Sequence, residues 1–389
     1  MKKFLLFLLF ITVLSSAYSQ TATKDTTKAI PPPVSPLSMP GMAGPLAINP
    51  EPLKTGSIYI SGVASGLVQF QNAVYPGDKP LQSDVSNAQI FIQKVDGVFQ
   101  FFLQVGSYSL PDIGAPYLRS TIAPYAFYGA FPQGYIKLAP SKNFSVEVGK
   151  LPTLIGAEYT FSFENMNIQR GLLWNQENAV NRGAQLNYTA GPVTFAVSYN
   201  DGLYSNNYNW LWGSLTYAIN GANTFALIGG GSTSRTTIST SATPLYLNNE
   251  QIYNLIYTHT AGQWTIQPYF QYTSVPAAPV LNTTQDAKTY GGALLVNYSV
   301  PNSGFNMPFR LEYINSTGTA AGGAPSLIYG PGSNAWSVTI TPTYQYKRFF
   351  ARAELSYIKA NNITSGFALG PNGSDDTQSR ALLEVGVLF

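Results

Sequence analysis

Catalysis in a barrel hydrolase or protease needs a positioned base beside a nucleophile or water. This chain of 389 residues has one His and no Cys. His259 stands beside the Ala261-Gly262 turn, where a lone imidazole reads as a solvated turn residue. There is no His-Glu metal motif, no Walker loop and no Gly-rich fingerprint opening a helix. No catalytic residue, cofactor or metal is therefore expected, and the side chains left to do chemistry are charges. Arg310 and Glu312 lie two apart, opposite Phe309, Leu311 and Tyr313. Arg352 and Glu354 repeat that spacing opposite Ala351, Ala353 and Leu355, and Glu384 opposes Leu383, Val385 and Phe389. Residues two apart share one face of a strand. If the apolar face meets lipid, the charges must point inward, because Arg or Lys at the bilayer midplane costs about 2–4 kcal/mol. Glu147, Lys150 and Arg182 are expected to line the same lumen. Two roles fit such a set: ion pairs that tie neighbouring strands, or a polar rung that sets the field on passing ions.

A second group of charges, Glu158, Glu164, Arg170 and Glu177, falls in the long connection Leu151–Asn181 among Tyr159, Phe161, Phe163, Leu172, Leu173 and Trp174. A purely solvated loop has little use for so many large apolar side chains. The expected arrangement is a loop folded into a barrel, its aromatics on the wall and its charges at a constriction; the alternative is a loop packed over the outer rim.

The elements that must position these groups follow from composition and period. Charged residues are 10% of the chain, against roughly 25% in an ordinary soluble domain, while 45% are hydrophobic and 14% aromatic. A soluble surface is hard to build from that. Thirty-five Gly and 27 Pro break long helices, and after the N-terminus no apolar run approaches the ~18 residues of a spanning helix. From Ser57 onward the pattern alternates with period two, apolar residues against hydroxyls and amides rather than against Lys and Glu. Trp336, Val338, Ile340, Pro342, Tyr344 and Tyr346 oppose Ser337, Thr339, Thr341, Thr343 and Gln345; Trp264, Ile266, Pro268, Phe270 and Tyr272 oppose Thr265, Gln267, Tyr269 and Gln271. Lipid outside and water inside a closed sheet explain both faces, and aromatics at the ends of the apolar face match membrane interfaces.

Tight joints at Asp96-Gly97, Ala190-Gly191-Pro192, Asn220-Gly221-Ala222, Ala261-Gly262-Gln263 and Lys347-Arg348 alternate with long connections, among them Asn72–Asn87, Tyr108–Pro132, Ser232–Glu250 and Asn361–Gln378. That alternation predicts an all-β transmembrane antiparallel β-barrel of about sixteen strands, fourteen if a weak hairpin such as Thr224–Gly231 is misread. Its turns would be periplasmic and its loops extracellular. Gly229-Gly230-Gly231 reads as a flat or bulged stretch of wall.

Residues 1–19 read as a secretory signal: Lys2 and Lys3, an apolar run from Phe4 to Leu14, then the small residues Ala17 and Ser19 around Tyr18. Residues 20–56 form a Pro-rich segment, expected to be disordered in the periplasm and unable to hold a hydrogen-bonded ladder. Residues 57–389 form the barrel. Without Cys there is no disulfide and no acylated anchor, and a net charge of +3 implies no nucleic-acid partner. The last strand, Ala381–Phe389, ends on an aromatic residue, which resembles the insertion signal read by the outer-membrane assembly machinery.

Residues Val146–Tyr188 carry a further resemblance. Gly149-Lys150 ends a strand, Gly156-Ala157-Glu158 follows, the stretch Asn165–Gly171 contains Asn167 and Arg170, and Gly183 begins the returning strand. This pattern resembles the OmpL-like β-barrel porins, although that family usually has Arg where Lys150 stands, which keeps the charge but loses the fork. The resemblance implies a channel for small solutes in a Gram-negative outer membrane, with no catalytic residues to transfer. The expected function is passive diffusion of small hydrophilic solutes or ions through a water-filled lumen, with lipid as the surroundings and a homotrimer as one compatible assembly. The alternative is a barrel that anchors adhesin or receptor loops and conducts little.

Overall fold

The computed structural model describes residues 46–48, 58–242 and 246–389, with side chains from Ile58 onward. Sixteen antiparallel strands form the wall. They are β1 (Ile58–Gln71), β2 (Leu81–Lys94), β3 (Phe99–Tyr108), β4 (Gly134–Ser141), β5 (Phe144–Pro152), β6 (Val180–Ala190), β7 (Val193–Asn200) and β8 (Trp210–Asn220). The second half comprises β9 (Asn223–Ser232), β10 (Gln251–Ala261), β11 (Trp264–Val275), β12 (Ala287–Ser299), β13 (Phe305–Ser316), β14, β15 (Phe349–Asn361) and β16 (Thr377–Leu388). β14 runs in two pieces, Asn334–Ile340 and Thr343–Tyr346, because Pro342 has no N–H to give the ladder; both pieces pair with β13 and β15. Each strand pairs with the next, and β16 returns to β1 through partners such as Glu384 and Leu67. Closure removes every edge, so the backbone donors and acceptors of the wall are satisfied within the sheet.

The period-two pattern decides which side faces out. Along β15 the outward positions are Phe349, Ala351, Ala353, Leu355 and Tyr357, while Phe350, Arg352, Glu354, Ser356 and Ile358 are buried inside. Leu355 is 62% exposed and Glu354 1%, an inversion of the usual soluble pattern that only a lipid exterior makes favourable. Aromatic pairs gather at both ends of the outer face. Trp264 packs on Tyr298 (4.7 Å) and Phe305 on Tyr344 (4.6 Å) near the short turns; Tyr272 packs on Tyr290 (5.2 Å) and Trp336 on Tyr357 (5.4 Å) near the long loops. These are the interface belts expected of a membrane barrel. Leu311, midway along the outer face of β13, gives a direct check. Leu311→Arg should cost about 2–4 kcal/mol, read from urea unfolding in liposomes; a loss too small to measure would mean that this face does not meet lipid.

Two sequence expectations change, and the sixteen-strand count holds. The connection after β1 is shorter than Asn72–Asn87, because β2 already begins at Leu81. A bulge opposite Ser65 and Gly66 interrupts the ladder there, and the polar run Ser83-Asp84 hides the alternation. The Thr224–Gly231 hairpin is a genuine wall strand, and Gly230 leaves the space in which the Trp212 ring lies: a Cβ there would sit 2.2 Å from it. The other change concerns the Pro-rich segment. Leu46–Ile48, between Pro45 and Pro50, does pair with Ile58–Ile60, since those three residues carry no proline and keep their N–H groups. The signal at residues 1–19, and the rest of residues 20–56, lie outside the described residues.

Candidate functional site

The inner wall between β13 and β16 carries the charges singled out above. Arg352 and Glu384 are direct cross-strand partners, with Arg352 Nε donating to Glu384 Oε2 at 2.8 Å. Arg310 Nε lies 3.1 Å from Glu312 Oε2 along the same strand. Neither pair is left to itself. The segment that leaves β5 and returns to β6 meets them from inside, and it does so largely through its own backbone.

Arg310 Nη1 donates to Glu158 Oε1 (2.5 Å) and to the Gln169 carbonyl (2.7 Å), while Glu158 Oε2 accepts the Gly171 N–H at 2.8 Å. Glu354 accepts from the Ile168 N–H (2.5 Å), the Gln169 N–H (3.1 Å) and the Thr341 hydroxyl (2.8 Å). Arg352 donates to the carbonyls of Asn165 and Ser162, each at 3.0 Å. Asn167 bonds the Thr341 hydroxyl at 2.7 Å. Wall side chains thus satisfy backbone groups of a loop that forms no sheet, which is how irregular backbone is tolerated at membrane depth. Gly171 permits the approach, since a Cβ there would sit 2.1 Å from Glu312 Oε1.

Aromatic and amide contacts tie the same segment to other parts of the wall. Phe163 packs on Phe91 of β2 (5.6 Å) and Phe161 edge-on against Tyr108 of β3 (5.0 Å). At its far end Gln176 Oε1 accepts the Thr289 hydroxyl of β12 at 2.7 Å and, more weakly, the Thr273 hydroxyl of β11 at 3.3 Å. The Gly156 N–H bonds Asn254 of β10 at 2.6 Å.

The four loop charges have different surroundings. Glu158 is tied to Arg310, and the Glu164 carboxylate accepts the Phe161 N–H at 3.2 Å. Arg170 is wholly buried but does not reach the wall: Nε bonds Asp112 at 2.6 Å, the fork reaches the Pro111 and Thr160 carbonyls, and the plane lies 4.5 Å from the Trp174 ring. It braces this loop against the one after β3. Glu177 is buried, and its carboxylate has no hydrogen-bond partner among the described residues. Burial pushes the Glu158 carboxyl up to about 7 against the pull of Arg310, and the Glu164 carboxyl up to about 8 against the pull of the Phe161 amide and Arg170.

Two of the wall charges are placed otherwise than expected. Lys150 and Arg182 are paired across β5 and β6, but they share the parity of the outward Val148 and Leu186. Their inward neighbours are Gly149 and Gly183, where a Cβ would sit 2.4 Å from the Gly134 carbonyl and 2.2 Å from the Tyr199 carbonyl. Both cations fold to the rim at the long-loop end. Lys150 donates to the carbonyls of Tyr128 and Phe131, Arg182 pairs with Asp201 at 2.7 Å, and both lie against the Tyr204 ring. Neither lines the lumen. Glu147 does face inward and pairs with Lys137 at 3.0 Å. His259 Nδ1 lies 2.8 Å from Asn223 Oδ1 at the strand end, and the same oxygen accepts the Tyr257 hydroxyl.

Sequence reasoning missed Asp112, Glu250 and Arg380. Arg380 shares the face of Glu384, so the alternation would have found it; it donates to the Asp112 and Ala115 carbonyls and to Gln169 Oε1. Asp112, inside an irregular loop, left no periodic signal.

Comparison with solved structures finds barrels of this architecture at low identity. OmpT of Vibrio cholerae matches with a TM-score of 0.58 at 12% identity, over 88% of this chain and 100% of that one. The outer-membrane channel DcaP of Acinetobacter baumannii matches with a TM-score of 0.58 at 10% identity, over 86% and 97%. Salmonella typhi OmpF, in complex with daunomycin, matches with a TM-score of 0.56 at 12% identity, over 88% and 100%. At such identities the likeness speaks for the fold alone. The comparison with curated proteins finds no match. A family model described as "Putative beta-barrel porin-2, OmpL-like" matches residues 57–389, the whole barrel. With its closed sixteen-strand wall and lipid-facing exterior, the chain belongs to this OmpL-like family of outer-membrane β-barrel porins.

Proposed function

We propose that the protein is a diffusion porin: small hydrophilic solutes cross the outer membrane passively through its lumen, narrowed by the loop between β5 and β6. The observation that carries this reading is the latch of wall charges onto that loop, Arg310 to Glu158 and Gln169, Glu354 to the Ile168 and Gln169 amides, and Arg352 to Ser162 and Asn165. A barrel serving only as an anchor has no need to hold a loop inside it at the cost of burying so many charges. The short turns and the Pro-rich segment would then face the periplasm, and the strand ending at Phe389 would be read by the assembly machinery.

One observation favours the sealed anchor instead. Ile155, Leu172 and Leu173 of the loop join wall residues Ile252, Ala293 and Ile314 in one buried apolar cluster, which fills part of the interior. Purified protein in a planar bilayer separates the readings. Stepwise ohmic conductance is expected, and a barrel that inserts without current would overturn the channel.

The raised carboxyl of Glu164 adds a pH signature. Docking favours its neutral form, so this group's contribution to docking is fully present below the ordinary carboxyl range and is lost as pH rises through about 8. Single-channel recordings at pH 9 should therefore show more frequent excursions to a wider state than at pH 5, and Glu164→Gln should flatten the difference. Excursions that became rarer at high pH would contradict a docked constriction loop.

A further inference from the structure

Beyond the latch, the lumen holds two carboxylates that nothing neutralises. Glu177 follows the turn Trp174–Gln176, and Glu250 immediately precedes β10, in line with its inner residues Ile252 and Asn254. Glu250 is 0% exposed and Glu177 6%, and neither carboxylate has a hydrogen-bond or ion-pair partner among the described residues. The two are close enough for their charges to act on each other. A third unpartnered group stands near Glu177. The Tyr269 hydroxyl, on the inner face of β11, is buried, makes no hydrogen bond among the described residues, and lies within range of the Glu177 charge. Arg310, the arginine that acts on Tyr269, is already committed to Glu158 and Glu312. Gly156 makes the niche, since a Cβ there would sit 1.8 Å from Glu177 Oε2.

Enclosed carboxylates without counter-charge are destabilising unless protonated or met by a cation. We infer that Glu177, Glu250 and Tyr269 form a binding site in the lumen for a solute carrying an ammonium or guanidinium group. This rests on the diffusion reading above and names the class of solute that the interior favours.

The donor count decides the class. Four carboxylate oxygens and a phenol are left with nothing to accept, and an ammonium brings three N–H donors and a guanidinium five. A hard divalent ion wants six or more oxygens converging at short distance, and no three acidic or His side chains converge in that way among the described residues. The surrounding wall suits an organic body: Ile252 lies between Glu250 and Asn254, and Trp212 belongs to the same apolar cluster. Burial, with Glu158 and Glu312 near Glu177 and Glu177 near Glu250, drives both carboxyls toward the neutral form. Tyr269 lies within range of Glu177, and Arg310 acts on Tyr269 rather than on either carboxyl; a bound cation is what would hold the two carboxyls ionised.

Agmatine, which carries both cationic groups and no carboxylate, is the probe. Calorimetric titration of the detergent-solubilised full chain at pH 8.5 should give saturable binding. Glu177→Gln together with Glu250→Gln should weaken it by about tenfold or more, and Tyr269→Phe by a few-fold. Heat-modifiable electrophoretic mobility shows whether each variant is folded; Glu177→Gln alone, which keeps side-chain shape, serves if the pair fails to fold. Heat from magnesium chloride that equals or exceeds that from agmatine would overturn the inference in favour of a metal, and equal agmatine binding by wild type and folded variants would overturn it outright. Bilayer recordings separate this from the parent reading. Conductance without agmatine binding removes the site and leaves the channel; agmatine binding without conductance keeps the site and removes the channel.

Discussion

A chain in which a short Gly-Ser linker replaces residues 161–174 is expected to pass about twofold or more the single-channel current of the intact protein, because a constriction sets conductance. The excised stretch contains the aromatic anchors Phe161 and Phe163, and the backbone groups that accept from Arg352 and donate to Glu354. The barrel should survive the loss. Arg352 keeps Glu384 across the strands and Arg310 keeps Glu312, and Glu354 exchanges two loop amides for water. Removing a buried partner together with the cover that made it buried lets the remaining charges rehydrate, so most of the desolvation penalty disappears with the contact. Current through the shortened chain equal to that of the intact one would mean that this loop is not what narrows the pore.

Much of the architecture could be read from residue order alone, for a definite reason. A lipid exterior and a polar interior reverse the faces of every strand in the same way, so Trp336 to Tyr346 and Ser337 to Gln345 sort without knowledge of partners. The closing pair β16 to β1 follows from the strand count. What escaped was whatever depends on a local departure from period two. The bulge near Ser65 shifts the register of β2. Charge alone puts Lys150 and Arg182 in the lumen, whereas parity puts Gly149 and Gly183 inside and the cations at the rim. The docking of residues 161–174 was suggested by their aromatics, but its chemistry was not. The wall does not pair with the loop's charges one by one; three of its charged side chains, Arg310, Arg352 and Glu354, bond loop backbone at Gln169, Asn165, Ser162 and Ile168. Backbone groups have no sequence signature, and neither has Asp112, whose partner Arg170 is 58 residues away.

Arg310→Met should be the most damaging single substitution in the latch, more so than excision of the loop. The side chain is fully buried and holds Glu158, the Gln169 carbonyl, Glu312 and the Thr339 hydroxyl. Methionine fills much of the space but leaves Glu158 and Glu312 facing each other under the loop, a loss of about 3–5 kcal/mol when one partner of a buried pair is removed. Two releases are open. The loop can leave the wall, which rewets both carboxylates and should give the wide conductance of the shortened chain. Otherwise Glu158 can take up a proton, and the sign of the pH effect shows which occurs. Its carboxyl, already raised to about 7 with Arg310 beside it, goes higher without it, so the docked form is favoured at low pH. That advantage declines by about 1.4 kcal/mol for each unit by which pH exceeds the undocked carboxyl's pKa, until the docked pKa is reached. The variant should therefore hold a near-normal narrow state at pH 5 and lose it by pH 9. Adding Glu158→Gln should restore the narrow state at pH 9, since an amide can remain bonded to the Gly171 N–H without carrying charge. A defect equal at both pH values, or one that Glu158→Gln worsens, would show that Arg310 acts through packing rather than through the carboxylates it holds.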